Sequence, residues 1–184
     1  MKRLALLAIA LVAVTAVAAC SNSQADHKTA DASFAQGMVL QDHQAVVIAD
    51  LAAAHAGAPQ IKDLATRIKA AREPEIVKLS GWLKTWHERI PADAADVKAV
   101  TNPLPGGLRV LRADELTTLA SLSGKGFDQN FLGRMIDIDQ GAIGLAQQDL
   151  DNGRYGAAKD LARSIKKDRR SEVDEMVALL KTVI

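Results

Sequence analysis

Part of this chain occurs twice, at an offset of 97 residues, and that repeat limits the fold more than any other feature. Phe34 recurs as Phe131, Met38 as Met135, Asp42 as Asp139, Ala45 as Ala142 and Ala49 as Ala146. Further on, Lys62-Asp63-Leu64-Ala65 recurs as Lys159-Asp160-Leu161-Ala162, Ile68-Lys69 as Ile165-Lys166, Arg72 as Arg169 and Glu75 as Glu172. No insertion or deletion breaks the register between Phe34 and Leu83, so one supersecondary unit has been used twice.

Each copy reads as a helical hairpin. Phe34, Met38, Ala45, Ala49 and Ala52 form one stripe at helical spacing, which predicts a first helix over Asp31 to His55, ended by Gly57-Ala58-Pro59. Ile61, Leu64, Ile68, Ile76, Leu79, Leu83 and Trp86 form a second stripe running to about Glu88. Pro74 removes one ladder bond from it and clashes with the carbonyl a turn earlier, which predicts a kink between Ala70 and Glu75. The second copy gives helices over Phe127 to Asn152 and Tyr155 to Val183, with Asn152-Gly153 as the stop between them. Two such hairpins bury their apolar faces best against each other. The expected fold is therefore all-α, an antiparallel four-helix bundle of residues 33–184 with approximate two-fold symmetry. Its halves are about 31–88 and 127–184, and 89–126 is a long crossover. The segment Pro91 to Gly107 holds three of the five prolines and reads as a connection. After it, Leu116, Leu119 and Ala120 share one side of a short helix over Ala113 to Ser121 that caps the bundle end, before Gly124-Lys125-Gly126 turns the chain.

The first 19 residues read as a signal peptide. Lys2 and Arg3 precede the apolar run from Leu4 to Val17, and Val17-Ala18-Ala19-Cys20 resembles a bacterial lipobox. Such a signal is cut before the cysteine, which carries diacylglycerol on its sulfur; the chain is then anchored to a cell membrane on its extracytoplasmic side through Cys20. A plain secretory signal is the alternative. The apolar run is shorter than the roughly 17 to 25 residues that a spanning helix needs. Residues 20–32 follow as a polar spacer. Cys20 is the sole cysteine, so the exported domain has no internal disulfide and no thiolate chemistry. Removing Lys2 and Arg3 from the 23 basic residues leaves 21 against 22 acidic ones, a balance that argues against a nucleic-acid partner.

Three repeated charged positions lie on the apolar stripes. Asp42 comes four residues after Met38 and three before Ala45, and Asp139 stands likewise between Met135 and Ala142. Arg72 follows Ile68 by four and precedes Glu75 by three, as Arg169 does with Ile165 and Glu172. All four helices thus bring charge toward the bundle axis near mid-length. Burying an unpaired charge is costly, so three arrangements suit these six groups. They close into an ionic network in which each Arg forks between an Asp and a Glu; or Asp42, Glu75, Asp139 and Glu172, with a formal surplus of two negative charges, hold one hard divalent ion; or the charges lie at a solvated rim.

Phe127-Asp128-Gln129-Asn130-Phe131-Leu132, Met135-Ile136, Gly141-Ala142-Ile143, Glu75-Ile76 and Glu172-Val173 resemble the bacterial family catalogued as domain of unknown function 305 (DUF305). The resemblance covers about Ser33 to Leu180 and implies an exported, ferritin-like four-helix bundle, in a family often linked with copper handling. The family pattern has Met-x-x-His-His-x-x-Ala on the first helix of each half and Gln-x-x-Glu-Ile on the second. Here the paired histidines are replaced by Gln41-Asp42 and Ile138-Asp139, and the glutamines by Arg72 and Arg169. Imidazole and thioether ligands suit copper, whereas carboxylates paired with arginines do not. The coordinated change in both halves is what exchanging a metal site for salt bridges would produce.

His43, one step beyond the paired positions, has Gln140 as its counterpart, and His27, His55 and His87 read as isolated, solvated side chains. Met38, Met135 and Met176 read as packing, and Trp82 and Trp86, four apart, as cover for a bundle end. No nucleophile constellation and no glycine-rich phosphate loop is present, so no enzyme is expected. The expected function is that of a non-catalytic cell-envelope lipoprotein acting as an interaction or binding module. It would have a possible protein partner in the envelope and no resident cofactor. The alternative is a metal-binding protein in copper or other metal homeostasis.

Overall fold

A computed structural model describes residues 27, 29–91 and 110–183. Cys20, the signal peptide and most of the proline-rich connection lie outside the described residues. Five helices account for the regular structure: α1 (Thr29–His55), α2 (Pro59–Thr85), α3 (Ala113–Ser121), α4 (Gly124–Asn152) and α5 (Gly156–Val183). α1 and α2 form one hairpin, α4 and α5 the other, and the hairpins meet chiefly along α1 and α4. The result is the expected four-helix bundle. None of these helices is long and apolar enough to cross a membrane.

Small residues let α1 and α4 approach. Ala35, Ala45, Ala49 and Ala52 on α1, and Ala142 and Ala146 on α4, are buried. A Cβ on Gly141 would lie 2.3 Å from Gln41 Nε2, so the side chain of Gln41 occupies the space that glycine leaves. The apolar core falls into two clusters. One gathers Ile61, Leu64 and Ile68 of α2 with Phe127, Phe131 and Met135 of α4 and Met176 of α5. The other gathers Phe34 and Met38 of α1 with Leu79 and Leu83 of α2, Leu145 of α4 and Ile165 of α5. In each long helix the charged positions stand between residues of the two clusters, so a polar layer divides the core at mid-length.

Several boundaries differ from expectation, each for a local reason. α1 begins at Thr29, inside the expected spacer, because Asp31 and Ala32 are buried. α2 begins at Pro59, which needs no hydrogen-bond partner at a first helical position, and continues without a break past the exposed Pro74. It ends with Glu88 N–H donating to Leu83 O at 2.9 Å, around His87 at φ +58°. Gly124-Lys125-Gly126 is the first turn of α4, and the chain turns at Leu122-Ser123 instead. Gly57 passes so close to Gly124 that a Cβ there would lie 2.8 Å from its Cα. α3 matches its expected range, with Leu116 and Leu119 buried, and lies against α1 and α4.

Candidate functional site

At mid-length the six repeated charges form a single cluster. Arg72 is 0% exposed and Arg169 1%, Asp42 2% and Asp139 0%, while Glu75 and Glu172 keep about a fifth of their side chains in solvent. This burial excludes the solvated rim. Each guanidinium crosses to the other repeat. Arg72 Nη2 donates to Asp139 Oδ1 at 3.0 Å and to Glu172 Oε2, while its Nη1 donates to Glu172 Oε1 at 3.4 Å. Arg169 Nη2 donates to Asp42 Oδ1 at 3.4 Å and to Glu75 Oε2. The contact of each Arg with the Asp of its own repeat is weaker: 3.7 Å from Arg72 Nε to Asp42 and 3.6 Å from Arg169 Nε to Asp139. The repeat's two-fold thus extends to the partners of each guanidinium, and the fork between an Asp and a Glu joins one hairpin to the other.

Four carboxylates face two guanidiniums, and protonation offsets the surplus. Burial pushes Asp42 up to about 8, with the charge of Glu75 adding to the effect and both arginines opposing it. Burial also pushes Asp139 up to about 7, against the pull of Arg72 and with further help from Glu172. Glu172 is lowered in spite of its own burial, because Arg72 bonds to it and the charges of Arg72 and Arg169 favour its ionised form. Among the described residues, Asp42 Oδ2 and Asp139 Oδ2 accept no hydrogen bond and the buried Gln41 amide has no partner.

The alternative reading of Asp42, Glu75, Asp139 and Glu172 as ligands of one ion meets an obstacle in this arrangement. The guanidiniums lie among the carboxylates and engage them, and among the described residues no three His, Cys, Asp or Glu side chains are grouped to hold a metal. The donor set does not fit copper either. His43 is only half-buried, His55 Nδ1 lies 2.9 Å from Leu122 O, and the exposed His87 ends α2. Met38 and Met135 are buried in different apolar clusters. His27 departs from the solvated reading: it stacks on Trp86 with ring centroids 4.5 Å apart, next to Trp82 and Tyr155, which also contact Trp86.

A second set of reciprocal contacts escaped the sequence reading. The buried Asp128 of α4 accepts from Gly57 N–H at 3.0 Å and Ala58 N–H at 2.9 Å, serving the start of α2, whose own N-cap Ala58 has no side-chain acceptor. The buried Asp31 of α1 accepts from Arg154 N–H and Tyr155 N–H, both at 3.0 Å, at the start of α5. Asp31 and Asp128 are 97 residues apart, as are Gly57 and Arg154. Extending the repeat three residues before Phe34 would have exposed the pair. Beside Asp31 lies Asp149, also buried, whose carboxyl is pushed up to about 7 by burial and by the charge of Asp31.

The family model described as Domain of unknown function (DUF305) matches residues 31–180. A Streptomyces coelicolor protein described as a secreted DUF305 protein is 24% identical, with a TM-score of 0.72, over 84% of this chain and 92% of that one. CopM in its Cu(II)-bound form is 23% identical, with a TM-score of 0.69, over 84% and 97%. A DUF305 fragment from Deinococcus radiodurans is 21% identical, with a TM-score of 0.70, over 84% and 97%. No curated protein matches the chain.

Proposed function

The chain belongs to the DUF305 family, and from that premise we propose that it is a non-catalytic, lipid-anchored protein on the extracytoplasmic side of a cell membrane. In this reading it acts as a binding module whose core is closed by ion pairs in place of a metal site. One observation carries the proposal: Asp42 and Asp139, at positions where the family pattern has histidine, are engaged by Arg169 and Arg72, at positions where it has glutamine. A guanidinium in contact with both acid types opposes a cation on electrostatic grounds and occupies Oδ1 of each aspartate. The export reading rests on Val17-Ala18-Ala19-Cys20 and agrees with the secreted description of the Streptomyces relative.

The similarity to CopM, found in Cu(II)- and Cu(I)-bound forms, favours a second reading, a role in copper or other metal homeostasis. For this chain that role would need a site other than the ionic cluster. Two measurements on the full chain expressed in a bacterial host test the proposal. Elemental analysis of the protein extracted from membranes is expected to find no stoichiometric Cu, Zn, Mn or Fe, and Cys20→Ser is expected to abolish incorporation of labelled fatty acid. A full equivalent of metal would favour the second reading, and unlabelled wild-type protein would remove the anchor.

A further inference from the structure

The two-fold of the bundle relates two grooves between α1 and α4, one at each end, and among the described residues only one of them is covered, by α3. Where α1 stops and α4 begins, Leu116 and Leu119 of α3 share an apolar cluster with Ile48, Ala52 and Phe131. Glu115 of α3 pairs with Arg134 at 3.5 Å, and Leu122 O, just after α3, meets His55 Nδ1 at 2.9 Å. At the opposite end, between the start of α1 and the end of α4, the related groove is an open cavity of about 590 Å³. Ser33, Phe34, Gly37, Leu40, Leu145 and Asp149 line it. Four of these are the repeat mates of residues beneath α3: Phe34 of Phe131, Gly37 of Arg134, Leu145 of Ile48 and Asp149 of Ala52.

We propose that this uncovered groove docks an amphipathic helix of a partner protein, seated there as α3 is seated on the related groove. The occupant follows from the fold's own precedent: the same backbone surface at the other end takes a short helix with leucines one turn apart. The cavity is large enough to admit side chains of that size. The differences between the grooves specify the partner's charge. Arg134, which receives Glu115, is replaced by Gly37, and Ala52 by Asp149, whose carboxyl lies beside that of Asp31 and, among the described residues, receives no hydrogen bond from an N–H donor. The fitting helix therefore carries an apolar face and a lysine or arginine where α3 carries an acid, and its outer edge meets the exposed Arg89 at the rim.

The proposal rests on the reading of the bundle as a binding module and gives that module a surface and a partner class. Its test is titration of the full chain with two labelled peptides, one copying residues 110–123 and one carrying Glu115→Lys in the same sequence. The expected result is saturable binding of the Glu115→Lys peptide, at least severalfold tighter than the parent. Ser33→Trp in the protein, a change at an exposed lining position, is expected to weaken it at least tenfold while the thermal melt stays unchanged. Several results would overturn the proposal: no saturation by either peptide, equal or tighter binding of the parent, or indifference to Ser33→Trp. Binding that appears only after residues 92–109 are replaced would assign the groove to the chain itself, and self-association lost on Ser33→Trp would assign it to a second copy; both also overturn it. Peptide binding depends on neither acylation nor metal content, so a negative titration leaves the elemental and labelling results, and the reading they test, in place.

Discussion

Arg169→Met removes a fully buried guanidinium and leaves Asp42 and Glu75 without their partner from the other repeat. Breaking a buried ion pair from one side costs about 3 to 5 kcal/mol, because the stranded group keeps its desolvation penalty and loses its compensation. Two features of the cluster place this case near the lower end at neutral pH. Asp42, raised to about 8, already carries a proton for much of the time, and Glu75 retains some contact with water. The expected loss is about 3 kcal/mol, or roughly 6 to 12 °C in melting temperature for a domain of this size. The penalty should also depend on pH. Losing the cation raises the folded-state pKa of Asp42 further, so the cost shrinks on acidification, when Asp42 is protonated, and grows on alkalinisation. Urea denaturation followed by circular dichroism, for wild type and variant at pH 5.5 and 8.5, reads both effects. An unchanged midpoint, or an equal loss at the two pH values, would refute the reasoning.

The wild type should itself lose stability as pH rises. Asp42 at about 8, Asp139 at about 7 and Asp149 at about 7 contribute stability that is fully present below their ordinary value of 3.8 and is lost as pH passes through the folded values. The lowered Glu172 works in the opposite sense, and its contribution is lost on acidification below its ordinary value of 4.5. The melting temperature should therefore peak in mild acid, and Asp42→Asn with Asp139→Asn should flatten its alkaline side; a profile rising steadily to pH 9 would contradict both. Asp128→Ala should cost about 1 to 2 kcal/mol in urea denaturation by freeing two N–H groups at the start of α2, with Asp31→Ala similar at α5. Gly57→Ala should cost about 1 to 3 kcal/mol, since its Cβ meets the Gly124 backbone, whereas Gly81→Ala, with open space around it, should stabilise by about 0.5 kcal/mol. Comparing the two midpoints checks that contrast.

The fold was legible because duplication and helical periodicity act on one chain at short range: the stripe from Phe34 to Ala52 sets a helix whatever lies beyond it. The six charges were legible as a set because a helix face can be read from spacing. Their pairing was not, since a helical wheel places Arg72 on a face without saying whether the acid across the axis belongs to its own repeat or the other. The cross-repeat caps were hidden for a related reason. Asp31 reads as an ordinary first-turn acid, and only tertiary structure brings it to the N–H groups of Arg154 and Tyr155. The start of α4 at Gly124 contradicts local propensity. There Gly124 takes φ +58°, a backbone conformation that glycine adopts without strain, so a glycine pair that resembles a turn becomes a helix start.

Arginine-bridged carboxylates fill the polar layer of this bundle, and the proposed function has them stand in place of a metal. Calorimetric titration of the full chain with Cu(II), and with Cu(I) under reducing conditions, tests it most directly. The expected result is no one-to-one uptake at micromolar affinity or tighter. Stoichiometric binding of that strength, abolished by Asp139→Ala and untouched by His43→Ala, would place copper among the carboxylates and contradict the claim.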